Sequence, residues 1–400
     1  MAGIGALAVN LRAAITSLPP VFPELAVRLH LSGAALAVLA ATPVLCFGVF
    51  SGVAGPLSRR FGEERVLGAA LVLLAAGLLL RGAAPGSMLF PGTVLAGAAI
   101  ALMNVLLPSF VKRRRPDQAG MLIGGYLLLL CAGAVVASLL AVPVFRAAGS
   151  GTGAVRLTLG IWALPAVAAA VVWLPQLRYR TVPPERRAAA GGVLAMARHV
   201  LAWQVTAFMG LQSLSYYAAL SWFPTLLRDR GISAAQAGDL LALMNLGNAV
   251  TALLLPTLAH RAADQRRLVA ISMAATSGGL AGSAFAPVGS AAAWMLLLGL
   301  GQGATLGLAI FFTMARAPDP AAAASLSAFA QGAGYLVAAT GPLLLGFLHA
   351  VTGGWTIPVL ALLGVALGQL ISGWLAGRAL TVPTRRIAGA AERGPGLGTS

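Results

Sequence analysis

Apolar stretches of about 20 residues recur along the whole 400-residue chain, separated by short runs containing arginine, proline or glycine. Twelve are read, at 4–27, 33–56, 66–84, 88–110, 119–145, 156–175, 201–226, 235–258, 268–286, 291–314, 323–348 and 356–377; they are numbered spans 1 to 12. About 20 apolar residues is what an α-helix needs to cross a hydrocarbon core ~30 Å thick. In lipid the backbone must satisfy its own hydrogen bonds, so only helices and closed barrels span. The stretches lack the period-2 alternation of a barrel strand. The pattern therefore predicts an all-α membrane protein with twelve transmembrane helices.

Composition agrees with a lipid solvent. Apolar residues make up 59% of the chain and charged residues 9%, against roughly a quarter charged in soluble domains. The net charge of +17 would point to nucleic acid in a soluble protein. Here the arginines punctuate the spans, so nucleic acid is excluded as a partner and the bilayer takes its place. Twenty of the 27 basic residues fall on one side of the membrane and six (Arg28, Arg81, Arg146, Arg156, Arg228, Arg230) on the other, leaving Arg12 inside span 1. The positive-inside rule then predicts a multi-pass protein of the bacterial inner (plasma) membrane, both termini and the central loop cytoplasmic. Cys46 and Cys131 lie in spans and read as reduced packing residues. The first apolar segment contains Arg12 and prolines, with no small-residue cleavage site after it, so no cleaved signal peptide is expected.

The chain also repeats. At an offset of 201, Pro23 meets Pro224, Ser32 meets Ser233, and Leu57, Arg60 and Arg65 meet Leu258, Arg261 and Arg266; Arg115 meets Arg316. Each pair falls at an equivalent point of the topology. Ser32 and Ser233 read as helix N-caps, the latter with Gln236 in capping-box spacing. The expected organisation is a six-helix bundle over 1–175, a Pro- and Arg-containing cytoplasmic linker over 176–200, a second six-helix bundle over 201–378 and a cytoplasmic tail, disordered, over 379–400. Two parallel six-span repeats are the architecture of major facilitator transporters, with the substrate site at mid-depth between the halves.

Particular stretches carry a family resemblance. The loop Gly55–Arg65, GPLSRRFGEER, resembles the major facilitator signature G-x-L-a-D-R-x-G-r-r, with Arg59 standing where the usual Asp would be. NLRAAITSLPP from Asn10, ALMNVLLPSFVKRR from Ala101, FMGLQSLSYYAALSWFPTLLRDRGIS from Phe208, LGLGQGATLGLAIFF from Leu298 and SAFAQGAGYLVAATGPLLLGFLHAVTGGWTIP from Ser327 are similar to the cyanate/nitroimidazole (CynX/NimT) transporter branch. The resemblance covers nearly the whole chain. It implies a major facilitator fold and movement of small anions or small polar compounds, cyanate among them, or export of nitroimidazole-like molecules.

Arg12 is the most informative residue. An arginine near mid-depth is costly unless it faces a polar cavity or a partner, and its planar fork suits a carboxylate-like or linear anion. The competing reading is that it snorkels to the cytoplasmic edge. None of the ten acids and none of the four histidines falls mid-span; Glu24 and Asp239 come nearest, each at an outer helix end. A cationic cavity without a buried acid favours an anionic or neutral solute.

The remaining polar positions in spans are uncharged, among them Asn10, Thr16, Asn104, Gln212, Ser213, Tyr216, Tyr217, Asn245, Asn248, Gln302, Gln331 and Tyr335. The resemblance implies that spans 1, 4, 7 and 10 line the pathway. Substrate-binding candidates are then Arg12, Asn10, Thr16, Asn104, Gln212, Tyr216, Tyr217, Gln302, Gln331 and Tyr335. Interhelical hydrogen bonding is the plainer role for any one of them. Of Tyr216 and Tyr217, only one ring is expected to point inward, because neighbours on a helix diverge by about 100°. Arg59, Arg60, Arg65, Arg261 and Arg266 are expected at the cytoplasmic gate, against helix C-termini.

The expected function is secondary transport of a small anion by alternating access, by a monomer with no cofactor or metal. The alternative is efflux of small neutral or aromatic compounds, with Tyr216, Tyr217 and Trp222 as stacking surface. An integral-membrane enzyme needs a cluster of catalytic His, Asp, Glu or Cys, and a receptor needs a domain to transmit a signal; the sequence offers neither.

Overall fold

The computed structural model describes residues 2–114, 118–149, 151–181 and 192–382. Residues 182–191 of the expected linker, residues 383–400 of the expected tail, and Arg115 of the Arg115/Arg316 pair lie outside the described residues.

The described chain is helical at every predicted span. Eleven helical segments are long and apolar enough to cross a membrane. The twelfth, span 7, is the single helix Val200–Asp229. It falls short in apolarity because Gln204, Gln212, Ser213, Ser215, Tyr216, Tyr217 and Ser221 interrupt its run. Most of its residues are nonetheless buried, so it is a central helix whose polar groups meet protein.

Local signals work as read. Ser32 Oγ accepts from the Ala35 amide to start Gly33–Phe61. Ser233 and Gln236 form the full reciprocal capping box at the start of Ala234–Arg261. Cys46 and Cys131 are free thiols.

The packing repeats as the sequence does. In the first half span 1 packs on span 5, span 2 on span 4, span 3 on span 4, and span 6 on spans 1 and 3. In the second half span 7 packs on span 11, span 8 on span 10, span 9 on span 10, and span 12 on spans 7 and 9. Every pair is the first-half pair advanced by six. Across the boundary span 2 meets span 11 and span 5 meets span 8, one contact being the other with the halves exchanged. The result is two pseudo-symmetric six-helix bundles. Small residues permit the close approaches: a Cβ added at Gly299 or Gly303 of span 10 would lie 2.1 or 2.0 Å from the Met244 or Asn248 carbonyl oxygen of span 8.

The face carrying the described ends, Ala2 and Val382, is tied alike in both halves. Glu63 and Glu64, expected in a loop, are fully buried in the first turn of span 3, Glu63–Ala83. A helix N-terminus favours acids there. Glu63 pairs with Arg113, and Glu64 accepts from the Thr181 amide at 2.7 Å and hydroxyl at 2.5 Å. At the equivalent place in the second half, Gln265 accepts from Arg316, which also donates to the Ala376 carbonyl at 2.8 Å.

Two spans depart from the expected unbroken helix. Span 1 is Ala2–Thr16, a short 3-10 turn Pro19–Val21, then Phe22–Leu29. Span 6 is Thr152–Gly160 followed by Ala163–Trp173. In span 1, Pro19 and Pro20 lack the amides that would continue the ladder.

Candidate substrate site

Arg12 lies on the first piece of span 1, ten residues from its start at Ala2, or about 15 Å along a helix axis. That is mid-depth in a ~30 Å core. Its guanidinium turns into the protein: Nη1 donates to the Tyr216 hydroxyl at 2.5 Å, and its central carbon lies 5.0 Å from the Tyr216 ring centroid. Among the described residues no carboxylate is within ion-pair distance of Arg12. The Tyr216 hydroxyl donates in turn to Asn245 Oδ1 at 2.8 Å. Asn245 Nδ2 donates to the Leu241 carbonyl at 3.1 Å and to Ser138 Oγ at 3.4 Å. This chain runs through spans 1, 7, 8 and 5 and crosses the boundary between halves twice.

Aromatic rings surround the cation. Tyr217 meets Phe47 edge-on at 6.3 Å, Tyr335 meets Phe47 at 5.6 Å, and Tyr216 meets Tyr217 at 5.2 Å. Tyr126 donates to Asn104 Oδ1 at 3.4 Å. Four of the chain's five tyrosines, and Cys131, lie in electrostatic range of Arg12. Both Tyr216 and Tyr217 therefore reach the centre, against the expectation of one. Span 7 has partners on all sides, so rings about 100° apart still meet the other half, Tyr216 at Arg12 of span 1 and Tyr217 at Phe47 of span 2.

The other candidates divide by what they bond. Thr16 donates to the Arg12 carbonyl at 3.1 Å and the Ala134 carbonyl at 3.3 Å, tying span 1 to span 5 under the site. Asn10 turns away into the first half, donating to the Ala6 and Pro165 carbonyls at 2.8 and 3.1 Å. Gln212 and Gln302 pair within the second half: Gln212 Nε2 donates to the Gln302 carbonyl at 3.3 Å, and Gln302 Nε2 to Ser215 Oγ at 2.8 Å. Gln331 donates to Ser327 one turn back on its own helix at 2.8 Å.

Toward the face opposite Ala2 and Val382 the halves are latched. Glu24 and Arg228 form an ion pair at 2.8 Å, Arg228 also donates to the Pro20 carbonyl at 3.4 Å, and Phe22 packs edge-on against Trp222 at 6.2 Å. Among the described residues, the hydrogen bonds, ion pairs and ring contacts between halves run from mid-depth to this face. Arg59, Arg60, Arg65 and Arg261 are exposed on the other face. Arg266 bonds Asp264 in its own half through its amide at 2.8 Å.

A family profile described as Major Facilitator Superfamily matches residues 4–342. The chain belongs to the major facilitator superfamily. This transporter is 38% identical over 378 residues to the 2-nitroimidazole transporter of Escherichia coli (strain K12), covering 94% of this chain and 95% of that one. It is 30% identical to the cyanate transport protein CynX of the same organism, covering 90% and 93%, and 37% identical to the uncharacterized transporter YycB of Bacillus subtilis (strain 168), covering 94% and 92%. Solved structures share the fold: the nucleoside transporter NupG (D323A mutant) with TM-score 0.75 at 12% identity, covering 94% and 99%, and a D-xylose-proton symporter with TM-score 0.69 at 16%, covering 96% and 97%. The transporter is thus a multi-pass membrane carrier of a small solute and not an enzyme.

Sequence reading missed several residues at the centre. Phe47, Tyr126 and Ser138 carried no signal beyond apolar or small character inside a span. Asn245 was visible as a polar residue, but span 8 was not counted among the lining helices. Arg81 was counted with the loop cations; it is 1% exposed and bonded inside the first half. Its position at the last turn of span 3 looks terminal in a hydropathy window, yet that turn is covered by spans 1, 4 and 6.

Proposed function

We propose that this transporter moves a small anion, cyanate-like or a small carboxylate-like species, across the bacterial inner membrane by alternating access, with Arg12 as its binding cation. The observation that carries the reading is a permanent charge at mid-depth whose near partners are neutral hydroxyls and rings. A partly buried cation lacking a counter-ion is costly, and a bound anion supplies one. Tyr216, Tyr217, Tyr335 and Phe47 would wall the site, which suits a small flat solute. The basic asymmetry of the loops supports cytoplasmic termini. The 1–175 and 201–378 units would rock about the centre, and the latch at Glu24 and Arg228 would then mark an externally closed state, with the loop arginines joining the halves only when the cytoplasmic side closes.

The second reading, export of a neutral nitro-heterocycle, is favoured by the same aromatic wall and by the name of one relative. Proteoliposome transport of labelled cyanate and of 2-nitroimidazole by wild type, Arg12→Ala and Arg12→Lys separates them. Losing a charge-assisted contact costs about 2–5 kcal/mol, so anion transport should fall at least 30-fold in kcat/KM in Arg12→Ala, and substantially in Arg12→Lys. Wild-type anion kinetics in Arg12→Ala would overturn the anion reading. Nitroimidazole movement with Arg12→Ala intact would favour the second.

A further inference from the structure

Among the described residues of the first half, Arg81 is the one fully buried cation. Its side chain has no acid beside it. Nη1 donates to the Ala14 carbonyl at 3.3 Å and Nη2 to the Leu159 carbonyl at 3.3 Å, while Nε has no partner. Both acceptors belong to broken helix ends. In span 1 the Leu18 amide, which would reach Ala14 in a continuous helix, bonds Ile15 instead, at 3.4 Å. Leu159 is the penultimate residue of Thr152–Gly160, just before span 6 restarts at Ala163. Helix C-termini carry orphan carbonyls and partial negative charge. Two such ends meet one guanidinium, and together they take the place of a carboxylate counter-ion.

The geometry is built for this. A Cβ on the next residue, Gly82, would lie 2.6 Å from the Gly160 Cα, so only glycine lets span 3 approach the break in span 6 so closely. The device is also confined to one half. At the offset of 201, Arg81 corresponds to Gly282, whose space is taken by Trp294, and Pro19-Pro20 correspond to Leu220-Ser221 inside the unbroken helix Val200–Asp229. Arg12 corresponds to Ser213. The break, its cap and the central cation therefore occur together in the first half and are all missing from the second.

We infer that Arg81 is a positioning residue for the Arg12 site: it binds the Ala14 carbonyl, two residues beyond Arg12 and just before the break that follows Thr16, and thereby sets the direction in which the Arg12-bearing piece presents its guanidinium to Tyr216. The effect on transport rests on the reading of Arg12 as the substrate cation; the positioning itself does not. Arg81→Met removes the cap with little change in length. Arg81→Lys keeps the charge and loses the fork that reaches two carbonyls at once.

The test uses the full chain in a Cys46→Ser background, where Cys131 beside Arg12 reports the local field through its alkylation rate. Arg12→Ala should slow that rate, and Arg81→Met should slow it several-fold in the same direction, with Arg81→Lys between. In proteoliposomes Arg81→Met should raise KM for cyanate about tenfold or more, with less effect on kcat. In a Pro19→Ala/Pro20→Ala background, where the Leu18 amide is free to return to Ala14, the drop in Tm caused by Arg81→Met should shrink. Should Arg81→Met not fold, Arg81→Lys carries the same comparisons. Wild-type Cys131 reactivity in folded Arg81→Met or Arg81→Lys, or an equal Tm loss in both proline backgrounds, overturns the inference. Normal cyanate transport by Arg12→Ala would sink the substrate reading alone, because the alkylation result decides Arg81 without transport.

Discussion

Replacing Glu24 by glutamine removes the charge from the Glu24–Arg228 ion pair that joins the halves, while keeping its shape. The pair is close, at 2.8 Å, and its side chains are only 22% and 21% exposed. Fully exposed pairs contribute about 0.2–1 kcal/mol and hydrogen bonds to charged groups about 1.5–3 kcal/mol. A pair one-fifth exposed falls between, at ~1–2 kcal/mol. Arg228 keeps its bond to the Pro20 carbonyl, so the loss is confined to the carboxylate. If the pair exists only when the external side is closed, its removal shifts the closed-to-open ratio about 5- to 30-fold. Ser221 offers a reporter. It is 4% exposed and lies with Ile15, Leu18, Pro19 and Phe22 in a small cavity under the latch. Ser221→Cys with Cys46→Ser and Cys131→Ser should react with an impermeant maleimide from outside at a rate that rises about 5- to 30-fold on adding Glu24→Gln. A rate unchanged within twofold in well-folded protein would refute the assignment of this pair as a latch.

Two further outcomes follow from the packing and the polar chain. Tyr216→Phe deletes the hydroxyl that joins Arg12 to Asn245 and leaves Asn245 Oδ1 without that donor, so stability should fall by about 1–3 kcal/mol, read as a lower Tm, with weaker cyanate binding in a thermal-shift titration. Gly303→Ala would set a Cβ 2.0 Å from the Asn248 carbonyl oxygen and 2.4 Å from Thr251 Oγ1, and should destabilise by about 1–3 kcal/mol; Gly364→Ala, with nothing within 4 Å, should match or exceed wild type in the same melt.

Hydropathy along the chain sufficed for the number and approximate limits of the spans, because crossing a bilayer is a requirement on length and apolarity that each helix meets alone. Caps were equally legible: Ser32, and Ser233 with Gln236, act within four residues of themselves. The repeat at 201 foretold a packing scheme that duplicates itself. Which way a polar side chain faces was not legible. Asn10 and Arg12 are two residues apart, hence about 200° around the helix, and only the neighbours of span 1 decide that one bonds Pro165 and the other Tyr216. Tyr126, Phe47 and Arg81 escaped for the same reason: an apolar window averages over a helix's whole circumference, and burial at one point of it belongs to whatever packs there. The break at Pro19-Pro20 was written in the chain, but its consequence, a carbonyl left for an arginine 67 residues away, exists only once spans 1, 3 and 6 meet.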